Sequence, residues 1–322
     1  MSTSVEQASI MDLVKALVGK LVVNPSLRKV VVAAILLLVA KKMMAKKKSC
    51  RNKLVLITGA AGGLGRELAL GFAKKGARLA IWDVNLQGLE ETAELVKEKT
   101  EAEVCVYQVN LVKKEDIYAA ANQVKSAQGP VWCLVNNAGI LSGTELLDTP
   151  DRRIELLFAV NVMAHFWTTK AFLGDMIENN DGHIVGISSF AGLVANPRMV
   201  DYCSSKFAAR GFMDALHTEL HAMGKTGVNT TVVFPSHINT DLFKGFNVGV
   251  AMSPQYVASQ IIGAVEDNQH SLVLPRVLGI AIFWQGVMPT AMWDLCTSLS
   301  YSSMNKWDGT QANKVFKAMG DK

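Results

Sequence analysis

A tyrosine and a lysine lie four residues apart in the segment Tyr202-Cys-Ser-Ser-Lys206, and together they could transfer a proton. Residues at this spacing share one face of a helix, so the phenol and the ammonium group would be neighbours. A free tyrosine has a pKa near 10 and is a poor base at neutral pH. A cation about 4 Å away, at an effective dielectric constant of about 20, favours the phenolate by roughly 4 kcal/mol, or about three pKa units. We therefore expect Lys206 to hold the pKa of Tyr202 near physiological pH, where Tyr202 could act as general acid and base.

A glycine-rich segment much earlier in the chain could bind a phosphate group. The segment Thr58-Gly59-Ala-Ala-Gly62-Gly63-Leu-Gly65 follows a predicted strand and leads straight into a predicted helix. Its glycines follow the spacing G-x-x-x-G-x-G rather than G-x-G-x-x-G, but the physical purpose is the same. Small residues let the backbone approach a pyrophosphate, whose charge meets the free N–H groups at the start of the helix. The segment therefore predicts a dinucleotide site.

Asp83 ends the second predicted strand, in Ala80-Ile-Trp-Asp83. A carboxylate at this point can accept hydrogen bonds from the adenosine ribose, and it would repel a 2′-phosphate. No Lys or Arg stands in the glycine-rich segment before Arg66, and Val84 follows Asp83. These features favour NAD over NADP as the cofactor.

Hydrophobic periodicity predicts the elements that must position these residues. Short apolar runs predict strands at 54–58, 78–83, 104–109, 131–136, 183–188, 228–234 and 271–274. Patterns of helical spacing alternate with them at 64–75, 86–99, 114–128, 153–179, 201–223 and 254–267, the last beginning at Ser253-Pro254 as N-cap and first turn. The alternation predicts an α/β fold with a single Rossmann-type, doubly wound, seven-stranded parallel sheet. We assign the catalytic domain to residues 51–275 and a C-terminal apolar extension of the same domain to residues 276–322.

The distribution of charge separates an N-terminal arm from the rest of the chain. Residues 1–53 carry eleven Lys and Arg against Glu6 and Asp12, whereas residues 54–322 carry 22 basic and 26 acidic side chains. A basic arm could contact nucleic acid or an anionic membrane, and its apolar residues favour the membrane. We therefore expect no nucleic-acid partner. The five cysteines are widely spaced and odd in number, which indicates reduced thiols and predicts neither disulfides nor a metal site.

The arm, residues 1–50, contains two apolar segments. Apolar residues at three- and four-residue spacing predict an amphipathic helix at 9–22, and an apolar run at 30–40 is followed by a lysine cluster at 41–48. Eleven helical residues rise about 16 Å, roughly half of a hydrocarbon core about 30 Å thick. A partly inserted or hairpin-like anchor therefore fits at least as well as a full span, and the alternative is a helix packed on the protein's own core. The lysines would keep the catalytic domain on the cytosolic side.

These motifs together resemble the classical short-chain dehydrogenase/reductase family over about residues 52–275. The resemblance rests on TGAAGGLG, Asp83, the Asn-Asn-Ala-Gly run at 136–139, and the segments containing Asn161, Ser189 and Tyr202. It implies that Tyr202 is the general acid and base, and that Lys206 lowers its pKa and holds the nicotinamide ribose. It also implies that Ser189, thirteen residues before Tyr202, binds the substrate oxygen in preference to Ser188. Asn161 would shape the active site and support a proton-relay water.

The same resemblance implies a set of cofactor contacts and two departures from the family pattern. The implied contacts are Thr58, Gly59, Gly63, Leu64, Gly65, Asp83, Asn110, Leu111, Asn137, Ala138, Gly139, Tyr202, Lys206, Pro235, Ile238 and Thr240. Asn110 stands where an aspartate is usual near the adenine, so we expect at most weaker adenine binding. Ser236 stands where the family usually has glycine after Pro235.

Within the family, the chain is similar to the membrane-associated branch of retinol and 17-beta-hydroxysteroid dehydrogenases. The similarity lies in the apolar arm, the sequence Tyr-Cys-Ser-Ser-Lys and the tail from Tyr301 to Trp307. This similarity implies NAD-dependent oxidation of a bulky apolar alcohol at the endoplasmic reticulum or a lipid droplet, with the catalytic domain facing the cytosol. The alternatives are an NADPH-dependent carbonyl reductase and, more distantly, a non-catalytic membrane scaffold. We also allow for a homodimer. Residues 242–250 would form an apolar lid, and residues 277–293 would line the substrate entrance, touch the bilayer or pack on the core.

Overall fold

The chain forms two compact units, residues 1–47 and 48–322. In the computed structural model, the described residues are 25–26, 29–34, 37, 47–243, 251–285, 288–292, 294–295, 298 and 316. In the first unit residues 29–34 are helical, and the predicted helix at 9–22 lies outside the described residues. The second unit begins at Lys48, and Cys50 is buried in its core. Residues 48–50, assigned above to the arm, therefore pack with the catalytic unit.

The centre of the second unit is a seven-stranded, fully parallel sheet, which confirms the predicted fold class. Its strands are β1 Leu54–Thr58, β2 Arg78–Asp83, β3 Val104–Gln108, β4 Cys133–Asn136, β5 Gly182–Ile187, β6 Val228–Pro235 and β7 Ser271–Leu274. The order across the sheet is β3-β2-β1-β4-β5-β6-β7. Strands β1 to β3 therefore extend the sheet in one direction, and β4 to β7 extend it in the other, starting beside β1. Doubly wound sheets open a crevice for a ligand where the strand order reverses in this way, here between β1 and β4.

Eight helices among the described residues connect and cover the strands. They are α1 Gly63–Lys74, α2 Leu86–Lys99, α3 Lys114–Gln128, α4 Asp151–Phe158, α5 Ala164–Asn179, α6 Val200–Ala222, α7 Pro254–Glu266 and α8 Leu278–Gln285. Sequence periodicity located the helices before α8 to within a residue or two, apart from the division between α4 and α5. The predicted N-cap of α7 is present, since the Ser253 hydroxyl accepts a hydrogen bond from the Tyr256 N–H at 3.2 Å.

The sheet is buried on both faces by apolar clusters. One cluster joins the sheet to α1, α2 and α7, through residues such as Phe72 and Ile261. The other joins it to α3, α5 and α6, through residues such as Phe172 and Met213. Because helices cover both faces, the strands are apolar almost throughout rather than alternating, and all five residues of β1 are buried.

The helix predicted at 153–179 is interrupted. A π-helical turn, Ala159–Met163, separates α4 from α5, and the Ala164 N–H bonds to the Ala159 carbonyl five residues back. An inserted residue of this kind leaves the apolar pattern of the flanking helices intact, so periodicity does not reveal it. Of the helices described, the continuous stretch Asp151–Asn179 is the one long and apolar enough to cross a membrane. Its Phe172 and Met176 are buried in the core, which is the position of a core helix.

Candidate active site

A cleft of about 680 Å³ lies at the carboxyl edge of the sheet, within the size range of cofactor and ligand pockets. Most of the predicted cofactor residues line it: Gly59, Gly63, Leu64, Asp83, Leu111, Asn137, Ala138, Gly139, Tyr202, Lys206, Pro235, Ile238 and Thr240. Ser189 also lines the cleft, whereas Asn161 lies behind its wall. A set of residues spread over more than 180 positions of sequence is thus brought to one surface.

The glycine-rich segment at the start of α1 has no room for side chains at two positions. Gly59 has a φ of +67°, and a Cβ there would lie 2.8 Å from the Cα of Ala138. A Cβ on Gly65 would collide with the carbonyl oxygen of Gly59. The backbone therefore packs closely enough to expose the start of α1 to the cleft, as a bound pyrophosphate requires. These residues fit the phosphates of a dinucleotide.

Thr58 and Asn137 join the glycine-rich segment to the end of β4. The Asn137 side-chain amide donates to the carbonyl oxygens of Thr58 at 2.9 Å and Gly59 at 3.1 Å. The Thr58 hydroxyl accepts the N–H groups of Asn137 and Ala138, both at 3.1 Å. Thr58 is buried and does not line the cleft, so it shapes the phosphate-binding turn from behind.

Asp83 lies at the opposite end of the cleft from Tyr202 and ties two segments together. One carboxylate oxygen accepts the Ala61 N–H at 3.1 Å, and the other accepts the Asn85 N–H at 3.0 Å. Burial raises the pKa of Asp83, while these backbone hydrogen bonds oppose the shift. Asn85 also lines the cleft, and the sequence analysis missed it. Its position as N-cap of α2, where its side chain accepts the Gly88 N–H, was the signal that could have identified it.

Three predicted cofactor residues do not reach the cleft surface. Thr58 and Gly65 lie behind it, in the roles described above. Asn110 also falls outside the lining, and its neighbours Val109 and Leu111 face the cleft instead. Its side-chain oxygen accepts the Val112 N–H at 3.0 Å, which closes a local turn. Asn110 therefore helps to close this turn, and its contact with the adenine stays a prediction.

Ser189 and Ser188 have different surroundings, although they are adjacent in sequence. The Ser189 side chain is hydrogen-bonded to Tyr202, which places its hydroxyl at the catalytic end of the cleft. The Ser188 hydroxyl donates to the carbonyl oxygen of Lys206 at 2.8 Å and so holds α6 against β5. Both serines line the cleft but differ in their hydrogen bonds, and the binding of the substrate oxygen by Ser189 stays a prediction.

The expected pKa of Tyr202 is wrong for this structure. Tyr202 is only 4% exposed, and burial raises the pKa of its phenol, with the hydrogen bond to Ser189 opposing the shift. The Lys206 Nζ lies 5.6 Å from the centre of the Tyr202 ring and donates to the Ile187 carbonyl at 2.9 Å. Burial also lowers the pKa of Lys206 to about 8. At Tyr202 the loss of solvation of the charged form therefore outweighs the attraction of a nearby cation.

Asn161 occupies the π turn and holds the active-site wall together. Its side-chain oxygen accepts the Ile140 N–H at 2.9 Å, and its nitrogen donates to the Ile140 carbonyl at 2.9 Å. The same nitrogen donates to the Ser205 hydroxyl at 3.1 Å, and Ser205 donates to the Tyr202 carbonyl at 2.7 Å. Asn161 therefore acts as a positioning residue that connects the segment after β4 to the helix bearing Tyr202.

Apolar side chains form the end of the cleft beyond Tyr202. Ile140, Val160, Leu242 and Phe243 line this end. Leu242 and Phe243 belong to the predicted lid, and residues 244–250 lie outside the described residues. The ring of His237 meets that of Phe243 edge to face, with centroids 5.4 Å apart. This end of the cleft suits a substrate with an apolar body next to the reacting oxygen.

Comparison with known proteins places these observations in a family. Residues 53–250 match the model of the short chain dehydrogenase family. The chain is 44% identical over 258 residues to short-chain dehydrogenase/reductase family 16C member 6 of Bos taurus, covering 79% of this chain and 81% of that protein. It is 42% identical to epidermal retinol dehydrogenase 2 of Homo sapiens, covering 74% and 78% of the two chains. It is also 42% identical to estradiol 17-beta-dehydrogenase 11 of Homo sapiens, covering 75% and 81%.

Solved structures agree on the fold. A short chain dehydrogenase/reductase from Burkholderia phymatum, in complex with NAD, has a TM-score of 0.69 at 24% identity and covers 73% of this chain and 93% of its own. A metagenomic short-chain oxidoreductase in complex with NADP has a TM-score of 0.61 at 26% identity and covers 70% and 97%. The relatives also confirm the predicted resemblance to retinol and 17-beta-hydroxysteroid dehydrogenases. The chain therefore belongs to the short-chain dehydrogenase family and is an oxidoreductase that acts on CH–OH groups with a nicotinamide dinucleotide.

Proposed function

We propose that this enzyme oxidises a bulky apolar alcohol, such as a retinol, a 17-beta-hydroxysteroid or a similar lipid alcohol, with NAD. The observation that carries the proposal is the position of Ser189 and Tyr202 between a dinucleotide cleft and an apolar pocket end. The relatives named as retinol and estradiol dehydrogenases support the same substrate class. Turnover of a panel of retinol, estradiol and long-chain alcohols with NAD tests it, and failure of every alcohol would contradict it.

In this reaction, Ser189 and Tyr202 act on the hydroxyl group of the substrate. The Ser189 hydroxyl donates a hydrogen bond to the substrate oxygen, and Tyr202 removes the hydroxyl proton as the carbonyl forms. A nicotinamide ring bound in the cleft would supply the acceptor for the hydride of the carbinol carbon. Lys206 lies where it can bind the nicotinamide ribose, and its cation near Tyr202 favours the phenolate that must form.

The preference for NAD rests on Asp83. Its carboxylate lies at the ribose end of the cleft, and no basic side chain is among the residues that line that end. We expect Asp83→Ala to weaken NAD by the loss of ribose hydrogen bonds and to improve NADP by the loss of repulsion, each by about tenfold. Asp83→Asn is the matched control, because it removes the charge and retains an oxygen acceptor. It should improve NADP while weakening NAD less than the alanine variant does. A wild-type enzyme that already binds NADP more tightly would contradict the assignment.

One observation favours the reverse direction as a second candidate. Burial raises the pKa of Tyr202, so the phenol holds its proton at neutral pH and can donate it to a carbonyl oxygen. An NADPH-dependent reductase of a retinal, steroid or 3-keto lipid would use the site in this way. Initial rates in both directions, with both cofactors at pH 7, distinguish the two candidates.

We also propose a membrane location, at the cytosolic face of the endoplasmic reticulum or at a lipid droplet. The support is the combination in residues 1–50 of two apolar segments with a dense lysine cluster. Apolar burial and attraction to anionic headgroups are two independent sources of affinity for a lipid surface.

A homodimer is the proposed assembly. Met163 and Phe166 are exposed at the start of α5, and Val200 and Phe207 are exposed on α6. The rings of Phe166 and Phe212 lie 4.5 Å apart, so the two helices present their apolar side chains as neighbours. Such a patch marks an interface more often than a solvated surface. Light scattering of the detergent-solubilised protein should show a dimer, and Phe166→Glu/Phe207→Glu should yield a monomer.

A further inference from the structure

The segment that follows β7 starts beside the cleft. The Ser236 N–H donates to the Leu274 carbonyl at 2.8 Å, and Ser236 lines the cleft. Helix α8 begins four residues after Leu274, at the carboxyl edge of the sheet. The first part of the C-terminal extension therefore lies at the edge of the sheet that carries the active site.

The same segment returns to the catalytic end of the cleft. Phe316 is fully buried in an apolar cluster that includes Tyr202, Ile140 and Leu156. The Arg153 guanidinium lies over the Phe316 ring, 5.1 Å from its centre. Leu274 is thus held beside the cleft, and Phe316 is held in the cluster that contains Tyr202.

Between these two attachments, four large apolar side chains are exposed. Val277 is 65% exposed, Ile280 61%, Met292 56% and Leu295 66%, while Ile282 packs against the core. Residues 277–305 contain a single charged residue, Asp294, and Arg276 immediately precedes them. Exposed apolar side chains on a segment this poor in charge are typical of a surface that contacts lipid or another protein.

We propose that the exposed side chains of Val277, Ile280, Met292 and Leu295 contact a lipid surface, and that the apolar alcohol reaches the active site from this surface. The proposal rests on the proposed substrate class, because an alcohol of that kind dissolves in lipid rather than in water. A protein partner would require a polar rim of hydrogen-bonding residues, and the segment is nearly uncharged. The positions of Arg276, Trp284 and Trp293 in the sequence are typical of residues at a headgroup boundary.

Tryptophan fluorescence tests the lipid contact without reference to activity. Three of the six tryptophans, Trp284, Trp293 and Trp307, follow Leu274, and residues 1–81 contain none. Quenching by phosphatidylcholine vesicles with brominated acyl chains therefore cannot come from the N-terminal arm. The full-length protein should be quenched, and a variant with these three tryptophans changed to phenylalanine should lose most of the quenching. Equal quenching in both proteins would overturn the proposal.

Kinetics test the delivery of substrate. In the full chain, Met292→Ser/Leu295→Ser should lower kcat/KM for a long-chain secondary alcohol dissolved in phosphatidylcholine vesicles by about fivefold or more, because the lipid contact weakens. It should change kcat/KM for water-soluble cyclohexanol by less than about twofold. Met223→Ser is the matched control, because Met223 is 51% exposed just after α6, at the opposite edge of the sheet, and it should affect neither substrate.

The remaining outcomes separate the competing explanations. If both substrates are affected alike, or neither is, delivery through this segment is overturned. If no alcohol is oxidised by any protein, the proposed function fails, while the quenching result still decides the lipid contact. If the double variant reduces the size of the assembly and leaves the quenching unchanged, the segment contacts a second copy of the chain, and the proposal is overturned.

Discussion

At the scale of single residues, the proposed catalysis depends on how burial is balanced against hydrogen bonding at Tyr202. Its phenol is almost inaccessible to water, which raises its pKa, and Ser189 provides the hydrogen bond that opposes the rise. Lys206 is itself desolvated, and its pKa falls to about 8. A raised phenol pKa keeps Tyr202 protonated at neutral pH, so the form that can donate a proton is abundant and the form that can accept one is scarce.

The raised pKa of Tyr202 predicts a pH dependence of opposite sign in the two directions. Oxidation requires the phenolate, so kcat/KM with NAD and a soluble alcohol should rise from pH 6 to pH 9 by up to about tenfold per pH unit. Reduction requires the neutral phenol, so its rate should stay level over that range and fall only at higher pH. Initial rates in both directions measure this. An oxidation profile that is already level at pH 7 would show that the pKa of Tyr202 is near neutrality.

Tyr202→Phe should lower kcat by about 10²–10⁴-fold, because only the proton-transferring hydroxyl is removed. The dissociation constant of the dinucleotide should change little, since the ring that faces the cleft remains. Stopped-flow kinetics and fluorescence titration measure the two quantities. A variant that retains more than about a tenth of wild-type kcat would exclude Tyr202 as the acid and base.

At the scale of elements, two local backbone features position the site. The turn between β1 and α1 brings the backbone of Gly59 against Ala138 and Gly65 against Gly59, which opens the start of α1 to the cleft. The π turn between α4 and α5 carries Asn161, whose side chain bonds to both backbone groups of Ile140. Each feature joins segments that are remote in sequence, and each would be lost through one substitution.

Gly65→Ala should disrupt the first of these features. The added Cβ would collide with the Gly59 carbonyl oxygen, so we expect Tm to fall by about 4 °C or more and dinucleotide binding to weaken at least about tenfold. Gly62→Ala is the matched control for stability. Its backbone is extended and an added Cβ meets nothing within 4 Å, so Tm should change by less than about 1 °C. Calorimetry compares the two, and equal Tm values would contradict the close packing at Gly65.

At the scale of the whole molecule, the catalytic unit begins at the edge of the sheet opposite the cleft. The Lys48 Nζ donates to the Gly227 carbonyl at 2.8 Å, just before β6, and the Lys48 N–H donates to the Glu266 carbonyl at 2.8 Å. Lys53 forms a 2.8 Å ion pair with Asp181, just before β5. The segment that follows β7 begins at the carboxyl edge of the sheet, opposite the edge where the unit begins.

Deleting residues 1–47 should release most of the protein from membranes and leave kcat for a soluble alcohol within about twofold of wild type, because every residue lining the cleft follows this segment. Deleting residues 1–50 should in addition lower Tm by several degrees, since it removes the Lys48 hydrogen bonds and the buried Cys50. Carbonate extraction and calorimetry measure the two effects. A shorter deletion that stays as firmly bound as the full chain would assign the anchor to another segment.

The sequence by itself determined the parallel sheet, the bounds of most helices and strands, and the glycine-rich segment that lines the cleft. These features follow from short-range information, because apolar periodicity, helix caps and glycine spacing are local in the chain. The pairing of Tyr202 with Lys206 was predicted from local spacing in the same way, whereas the role of Ser189 is implied by the resemblance to the family.

Only the tertiary structure decided how far the residues of the site are exposed to water and which side chains pack behind the cleft surface. The pKa of Tyr202 depends on the water excluded by its neighbours, and Asn110 turned out to bond its own loop rather than to line the cleft. The π turn at Asn161 and the return of Phe316 to the catalytic cluster depend on contacts between segments far apart in sequence. Burial and long-range contact are properties of the packed chain, and no local pattern of residue types encodes them.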